Sequence, residues 1–370
     1  MLRGVRTIMN LKFAVIPWSS AFMKDKMFDV MDLTINRDHL MEPFREMQLE
    51  FERQGDELHT IDYYDVEQID YFLFFVIDWE VVLKVIHMGK ADCMIYCNAE
   101  PPVVDMTNCP AGYRKLQRIF PYILTWNRDW VDNKTIFKRN IPYFFENNIK
   151  NVVFEERRLL TGISGNKHSK HIDELYSERE RVYSFFEENY PDDFIFYGTG
   201  WDKKSHPCYG GRVENKSEVY HQFKFAICFE NMKNVKDYVT EKIWDCLCSG
   251  IVPIYAGAEN IYEYIPRDCY IDYFEFKNCE ELADFLLKME EEEYQKYLAA
   301  AQRLLETDIK NYFSGSEYAS YIYSAIAHIK KFKISVFYKV WVLFANIKNK
   351  IMSAIQTKMN SHFLMLRKKK

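Results

Sequence analysis

The chain has 370 residues, enough for two domains, and its 48% hydrophobic and 28% charged composition excludes a disordered or fibrous protein. Residues 321–370 hold eleven Lys or Arg and no Asp or Glu, so a net charge of −5 leaves −16 on the first 320 residues. That acidic body carries no nucleic-acid-binding motif, which argues against nucleic acid as a partner, and no window reaches the roughly 18 apolar residues of a membrane span.

Residues 1–10 lack an apolar run of signal-peptide length. Residues 11–18 (LKFAVIPW) predict a buried strand, 43–54 a helix ended by Gly55, and 57–61 a second strand. The continuous apolar run 71–77 (YFLFFVI) predicts a strand covered on both faces. Residues 81–88 predict a helix, 92–97 and 123–126 two further strands. A linker is expected over 154–170. The alternation then restarts with a helix at 174–189 and a strand at 194–197. A short helix ends over 220–223, and a strand follows at 225–229. Helix 241–249, strand 251–255 and helix within 280–305 complete it. The acidic run 290–293 reads as a solvated helix face. Two such units predict two Rossmann-like domains, residues 1–160 and 161–320, whose ligands lie at the carboxyl ends of the strands. The nine cysteines are scattered: Cys93/Cys97 and Cys246/Cys248 have neither zinc nor redox spacing, and they are read as reduced. The histidines show no ligand spacing, so no metal site is expected.

The most informative stretch is 223–265 (FKFAICFENMKNVKDYVTEKIWDCLCSGIVPIYAGAENIYEYI). Thr240 is placed to cap a helix whose apolar face is Ile243, Trp244, Leu247 and Cys248, with Gly250 as its stop. A helix start at the carboxyl end of a strand is an anion site. Lys242 in that first turn opposes the helix dipole, which a bound anion would justify. Glu241 offers a carboxylate to vicinal hydroxyls. Upstream, Gly198-Thr199-Gly200 permits close backbone approach, and the loop 207–211 with Arg212 follows. In the first half, Glu100 follows an apolar strand and precedes Pro101-Pro102, which places a carboxylate at a strand's carboxyl end.

Phe229-Glu230-Asn231, Tyr238-Val239-Thr240-Glu241-Lys242 and Pro253-Ile254-Tyr255 together resemble the signature of the α-1,3-fucosyltransferases of glycosyltransferase family 10, bacterial type. The resemblance spans about residues 90–285. It implies that Tyr238, Glu241, Lys242, Glu230, Asn231 and Gly198 form the GDP-fucose site, with Lys242 on the phosphates. It also implies an Arg on the diphosphate, for which spacing to the downstream apolar positions selects Arg179 with Arg181 as the alternative, and Glu100 as catalytic base with Asp105 as the alternative. Ala256 departs from the bulky aromatic of bacterial relatives and would alter the donor or acceptor wall.

The implied fold is α/β, GT-B: two facing Rossmann-like domains followed by a basic amphipathic helical tail. The implied reaction is inverting transfer of fucose to a hydroxyl of an oligosaccharide or lipid-linked glycan, with no cofactor required and a divalent cation at most stimulatory. A GT-B enzyme for GDP-mannose or a UDP-sugar, and a catalytically silent carbohydrate-binding relative, stay open. Over 332–356, Phe337, Val340, Trp341, Phe344, Ile347, Ile351 and Ile355 recur at spacings of three and four. With the basic residues of 332–370 this stripe predicts binding to an anionic membrane surface, peripherally and on the cytoplasmic side. Packing of the same helix across the first domain is the alternative.

Overall fold

The computed structural model describes residues 10–146, 148–150, 152–328 and 332–367, with side chains as far as 356. The first half alternates β1 (Lys12–Ile16), α1 (Glu42–Arg53), β2 (Glu57–Thr60), β3 (Tyr71–Phe74), α2 (Trp79–His87), β4 (Met94–Tyr96), α3 (Pro110–Leu116), β5 (Tyr122–Thr125) and β6 (Ile136–Lys138). Its strands form one parallel sheet ordered β2-β1-β3-β4-β5-β6. The second half runs β7 (Arg158–Ile163), α4 (Tyr176–Asn189), β8 (Phe194–Tyr197), α5 (Lys216–Tyr220), β9 (Phe223–Phe229), α6 (Glu241–Ser249), β10 (Val252–Ala256), β11 (Ile271–Asp272), α7 (Cys279–Lys288) and α8 (Glu291–Leu305). These strands make a second parallel sheet, β11-β10-β9-β7-β8. Apolar side chains fill both faces of each sheet, as a parallel arrangement requires.

Several elements differ from the sequence expectation. The segment 154–170 is not only linker: it contains β7, the strand between β8 and β9. The boundary expected at 160/161 therefore falls inside a strand of the second sheet. That strand is short and interrupted by Thr161-Gly162. Glycine is needed there, since a Cβ on Gly162 would lie 2.2 Å from the Tyr183 hydroxyl. Strand β6, the two-residue β11 and the seven-residue α3 also lie outside the sequence expectation; each is too brief to show a period.

After α9 (Ile309–Tyr312) the chain returns to the first sheet. Helix α10 (Gly315–Ile326) packs Tyr318, Ala319 and Ile322 against Met47 and Phe51. Gly315 sits so close to α1 that a Cβ would meet the Pro43 carbonyl oxygen at 1.8 Å. The expected boundary at 320/321 thus divides a helix that belongs to the first core. Helix α11 (Val336–Arg367) then lies on α2: Trp341 meets Trp79 edge-on at 5.2 Å, and Val342 is fully buried. Phe337, Phe344, Ile347, Ile351 and Ile355 stay exposed on the same helix. The N-terminal turns of α11 therefore pack on the first domain, while most of the predicted stripe faces solvent.

One cross-domain contact fixes the segment before α6. Asp237 adopts φ +62° with a carboxylate buried beneath Arg128. It accepts from Arg128 Nε at 2.7 Å, Asn260 Nδ2 at 2.8 Å and the Tyr264 hydroxyl at 2.6 Å. Burial alone would raise its pKa, but Arg128, Asn260 and Tyr264 outweigh it and hold the carboxyl at about 2. This stabilisation is complete above the ordinary value of 3.8 and is lost as pH falls toward 2. Arg128→Ala leaves a buried carboxylate without its cation. We expect a loss of about 2 kcal/mol in urea unfolding at pH 7, below the usual figure for a buried pair because Arg128 is partly exposed.

Candidate active site

The carboxyl ends of β4, β7, β8 and β9 open onto one cleft between the two sheets, of about 460 Å³. Glu100 lines it from the first domain. Arg179, Gly198, Asn231, Tyr238, Glu241 and Lys242 line it from the second. Seven of the eight residues singled out in the sequence therefore share one cavity.

The eighth, Glu230, lies behind the wall. It is completely buried, accepts from the Thr240 backbone N at 3.0 Å and hydroxyl at 2.8 Å, and pairs with Lys242 at 3.2 Å. Burial raises its pKa, with Lys242 opposing. Glu230 thus orients Lys242 and the cap of α6 and does not face the cleft. Ala256 is also corrected: it is fully buried in the core and forms no part of the cleft wall.

The start of α6 is built as its sequence predicts. Thr240 Oγ1 accepts from the Lys242 backbone N, and Gly250 ends the helix at φ +67°. Burial would deprotonate Lys242, but Glu230 and Glu241 outweigh it and raise its pKa, so the amine stays charged. Glu241 is driven down to about 2 because Lys242 and Lys216 outweigh burial. A charged amine therefore stands at the positive end of helix α6 on the cleft floor.

Helix α4 supplies the second cation. Arg179 is 4% exposed and donates to the carbonyls of Phe229 at 2.6 Å and Glu230 at 3.1 Å. Among the described residues it pairs with no carboxylate, so a buried guanidinium at a cleft wall awaits an anion. Arg181, the alternative, points elsewhere: it pairs with Glu178 at 2.6 Å and reaches the Tyr273 hydroxyl. Gly198 is required by packing, because a Cβ would sit 1.8 Å from the Ser164 carbonyl oxygen.

The loop carrying Glu100 is caged. Arg139, fully buried, donates to the carbonyls of Cys97 at 3.3 Å and Asn98 at 3.0 Å. Trp126 Nε1 donates to the Ala99 carbonyl, Asn108 Nδ2 to the Glu100 carbonyl, and the Glu100 N–H donates to Asn98 Oδ1. The carboxylate itself is open to the cleft, yet the surrounding protein raises its pKa by desolvation, with Lys167 and Lys242 opposing. Asp105 instead accepts from the Thr107 N–H and hydroxyl and does not line the cleft.

Sequence reasoning misses several cleft residues. Tyr176 lines it with a buried hydroxyl that has no partner among the described residues, one helical turn before Arg179 on the same face. That i, i+3 spacing is the available signal. Lys167 and Arg37 add positive charge, beside Arg212, which the sequence places next to the 207–211 loop. Arg37 reaches across from the first domain to the Val213 carbonyl at 2.7 Å, a contact no local pattern reveals.

Residues 167–320 match the family model for the C-terminal domain of glycosyltransferase family 10 (fucosyltransferase). Human α-(1,3)-fucosyltransferase 7 is 38% identical over 86 residues, 22% of this chain and 25% of that protein. The α-(1,3)-fucosyltransferase FucT of Helicobacter pylori is 38% identical over 77 residues, 21% of this chain and 16% of that protein. The aligned stretch thus spans a quarter or less of these relatives. In fold, the chain is similar to a crystal structure of an α1,3-fucosyltransferase with GDP, at TM-score 0.55 and 15% identity over 90% of this chain and 94% of the other. It is also similar to Anabaena Alr3699/HepE in complex with UDP-glucose, at TM-score 0.54 and 8% identity over 86% and 100%. The two-sheet architecture is therefore that of GT-B glycosyltransferases.

Proposed function

From the match of residues 167–320 to the glycosyltransferase family 10 domain, we propose that the chain transfers fucose from GDP-fucose to a glycan hydroxyl with inversion at the anomeric carbon. The observation that carries this reading is Arg179: a buried guanidinium that pairs with no carboxylate among the described residues, lining the same cleft as the charged N-terminus of α6. Arg179, Lys242 and the α6 N–H groups would hold the diphosphate and offset the charge that grows on departing GDP. Glu241 would accept from the ribose hydroxyls, and the unpartnered Tyr176 hydroxyl would donate to a phosphate oxygen. Asn231 and Tyr238, joined by a 3.3 Å hydrogen bond, would border the fucose.

Glu100 stands across the cleft. Its carboxylate would take the proton of the acceptor hydroxyl as that oxygen attacks the anomeric carbon and the bond to GDP breaks. A single displacement converts the β-linked donor sugar into an α-linked product. Protein cations supply the charge stabilisation, so no cofactor is needed and a divalent cation would at most stimulate. The test is incubation with GDP-fucose and a panel of oligosaccharides of N-acetylglucosamine or glucose, with the linkage read by NMR. An α-1,3-fucosyl product supports the reading; a β-linked product contradicts it.

We propose further that α11 holds the enzyme on an anionic membrane face on the cytoplasmic side, where lipid-linked glycans are built. Among the described residues no helix is long and apolar enough to cross a membrane. Phe344, Ile347, Ile351 and Ile355 are exposed, and seven Lys or Arg follow residue 345. Lys330, Lys331, Lys368, Lys369 and Lys370 lie outside the described residues. Truncation at residue 333 would remove Val342 from the first core, so the cut belongs after residue 345. In vesicle sedimentation the shortened chain should lose at least about tenfold in binding to anionic lipid, since each surface cation adds up to about 1 kcal/mol. Salt should weaken binding of the full chain. Equal pelleting of both chains would refute the anchor.

A further inference from the structure

We propose that a second cavity, beside the cleft on the second domain, is a saccharide subsite that holds a sugar unit of the acceptor glycan remote from the one modified. This rests on the glycosyltransferase reading above. The cavity, about 250 Å³, lies among the segments that follow β9, β10 and β11, separated from the cleft by the loop that carries Asn231 and Tyr238. It shares Arg267, Tyr270 and Asp272 with a further cavity of about 410 Å³, so the two can accommodate more than one pyranose ring.

Three features point to a sugar. Tyr270 lines both cavities, is 2% exposed, and has a hydroxyl with no hydrogen-bond partner among the described residues. A buried hydroxyl without a partner is costly, and a ligand hydroxyl would satisfy it. Two rings on the rim, Tyr262 and Phe274, are each 52% exposed; Arg267 and Lys233 lie over one face of each, at 5.6 and 5.9 Å, and the remaining ring surface suits the apolar face of a pyranose. The charged lining balances: Lys233 and Arg267 against Glu259 and Asp272. A phosphate or nucleotide would call for a positive excess, whereas a neutral polyol is matched by donors and acceptors in equal number. The position fits too. Glu263 and Tyr264, next to Tyr262, contact Arg128 of the first domain, at 2.6 and 3.4 Å, so the segment that carries Tyr262 meets the first domain.

The test compares the wild type, a Tyr262→Ala/Phe274→Ala double variant and Tyr270→Phe. Acceptors are oligosaccharides of N-acetylglucosamine or glucose with one to four units. The double variant should raise KM for the four-unit acceptor about tenfold, the usual consequence of truncating aromatic anchors, and leave KM for the shortest acceptor and for GDP-fucose unchanged. Tyr270→Phe should weaken the same long acceptor several-fold while its melting temperature stays level or rises, because it removes an unpartnered buried hydroxyl. A structural role would give the opposite result in melting. Saturation-transfer NMR with the four-unit oligosaccharide reads binding independently of turnover. Loss of that signal in the variants with no fucose transfer by any protein would sink the donor reading and keep the subsite. Equal binding by all three proteins, or equal effects on short and long acceptors, overturns the subsite.

Discussion

Replacing Glu100 by Gln should leave donor binding intact and slow transfer by about 10²–10⁴-fold, the range for a lost general base. Gln keeps the size and polarity of the side chain, and the cage around residues 97–100 is made through backbone groups that the substitution does not touch. The fall therefore belongs to the lost proton acceptor. The pH profile gives a second reading. Cleft walls raise the Glu100 pKa above its ordinary 4.5. As a base it must be ionised, so kcat/KM should decline as pH drops through that raised value, and the decline should vanish in the residual activity of Glu100→Gln. Asp105→Asn is the control. Its carboxylate serves Thr107 and the loop, so its effect should be small. An Asp105→Asn variant more impaired than Glu100→Gln would move the role to Asp105.

Removing either cation of the donor site should cost about 2–4 kcal/mol of transition-state stabilisation, seen as a lower kcat/KM for GDP-fucose. Arg179→Ala is the cleaner experiment, because among the described residues the guanidinium pairs with no carboxylate; the change removes its bonds to two carbonyls and its place over the Tyr176 ring. Lys242→Ala also uncovers Glu230, a fully buried acid that would then keep only Thr240. Lys242→Ala combined with Glu230→Gln removes that complication: stability should recover while turnover stays low. Arg181→Ala, whose side chain is engaged by Glu178 and Tyr273, should be mild. Near-normal turnover by both Arg179→Ala and Lys242→Ala would remove the diphosphate from this wall.

The strongest local signals are legible in the sequence itself. Helix α6 runs from Glu241 to Ser249 as its Thr cap and terminal Gly dictate, and Arg179 rather than Arg181 turns inward because its spacing follows the apolar face of α4. Interior strand β7 stays hidden because six residues with a Thr-Gly interruption carry too little pattern. Glu230 reads as a ligand contact because its neighbours in sequence do contact the cleft. Alternation along the strand end turns Asn231 outward and Glu230 inward, and only the Lys242 contact explains the buried acid. Cross-domain pairs such as Arg128–Asp237, 109 residues apart, leave no local trace. The same is true of α10 and α11, whose return to the first sheet is decided by Tyr318, Ile322 and Val342 finding a distant apolar face.

Release of nucleotide in the presence of an accepted glycan reads donor choice. Wild-type protein should release GDP from GDP-fucose in step with fucosylated product. GDP-mannose and UDP-glucose should release nothing above the level seen with Arg179→Ala. Release of UDP from UDP-glucose, or equal use of GDP-mannose, would contradict the assignment of this cleft to GDP-fucose.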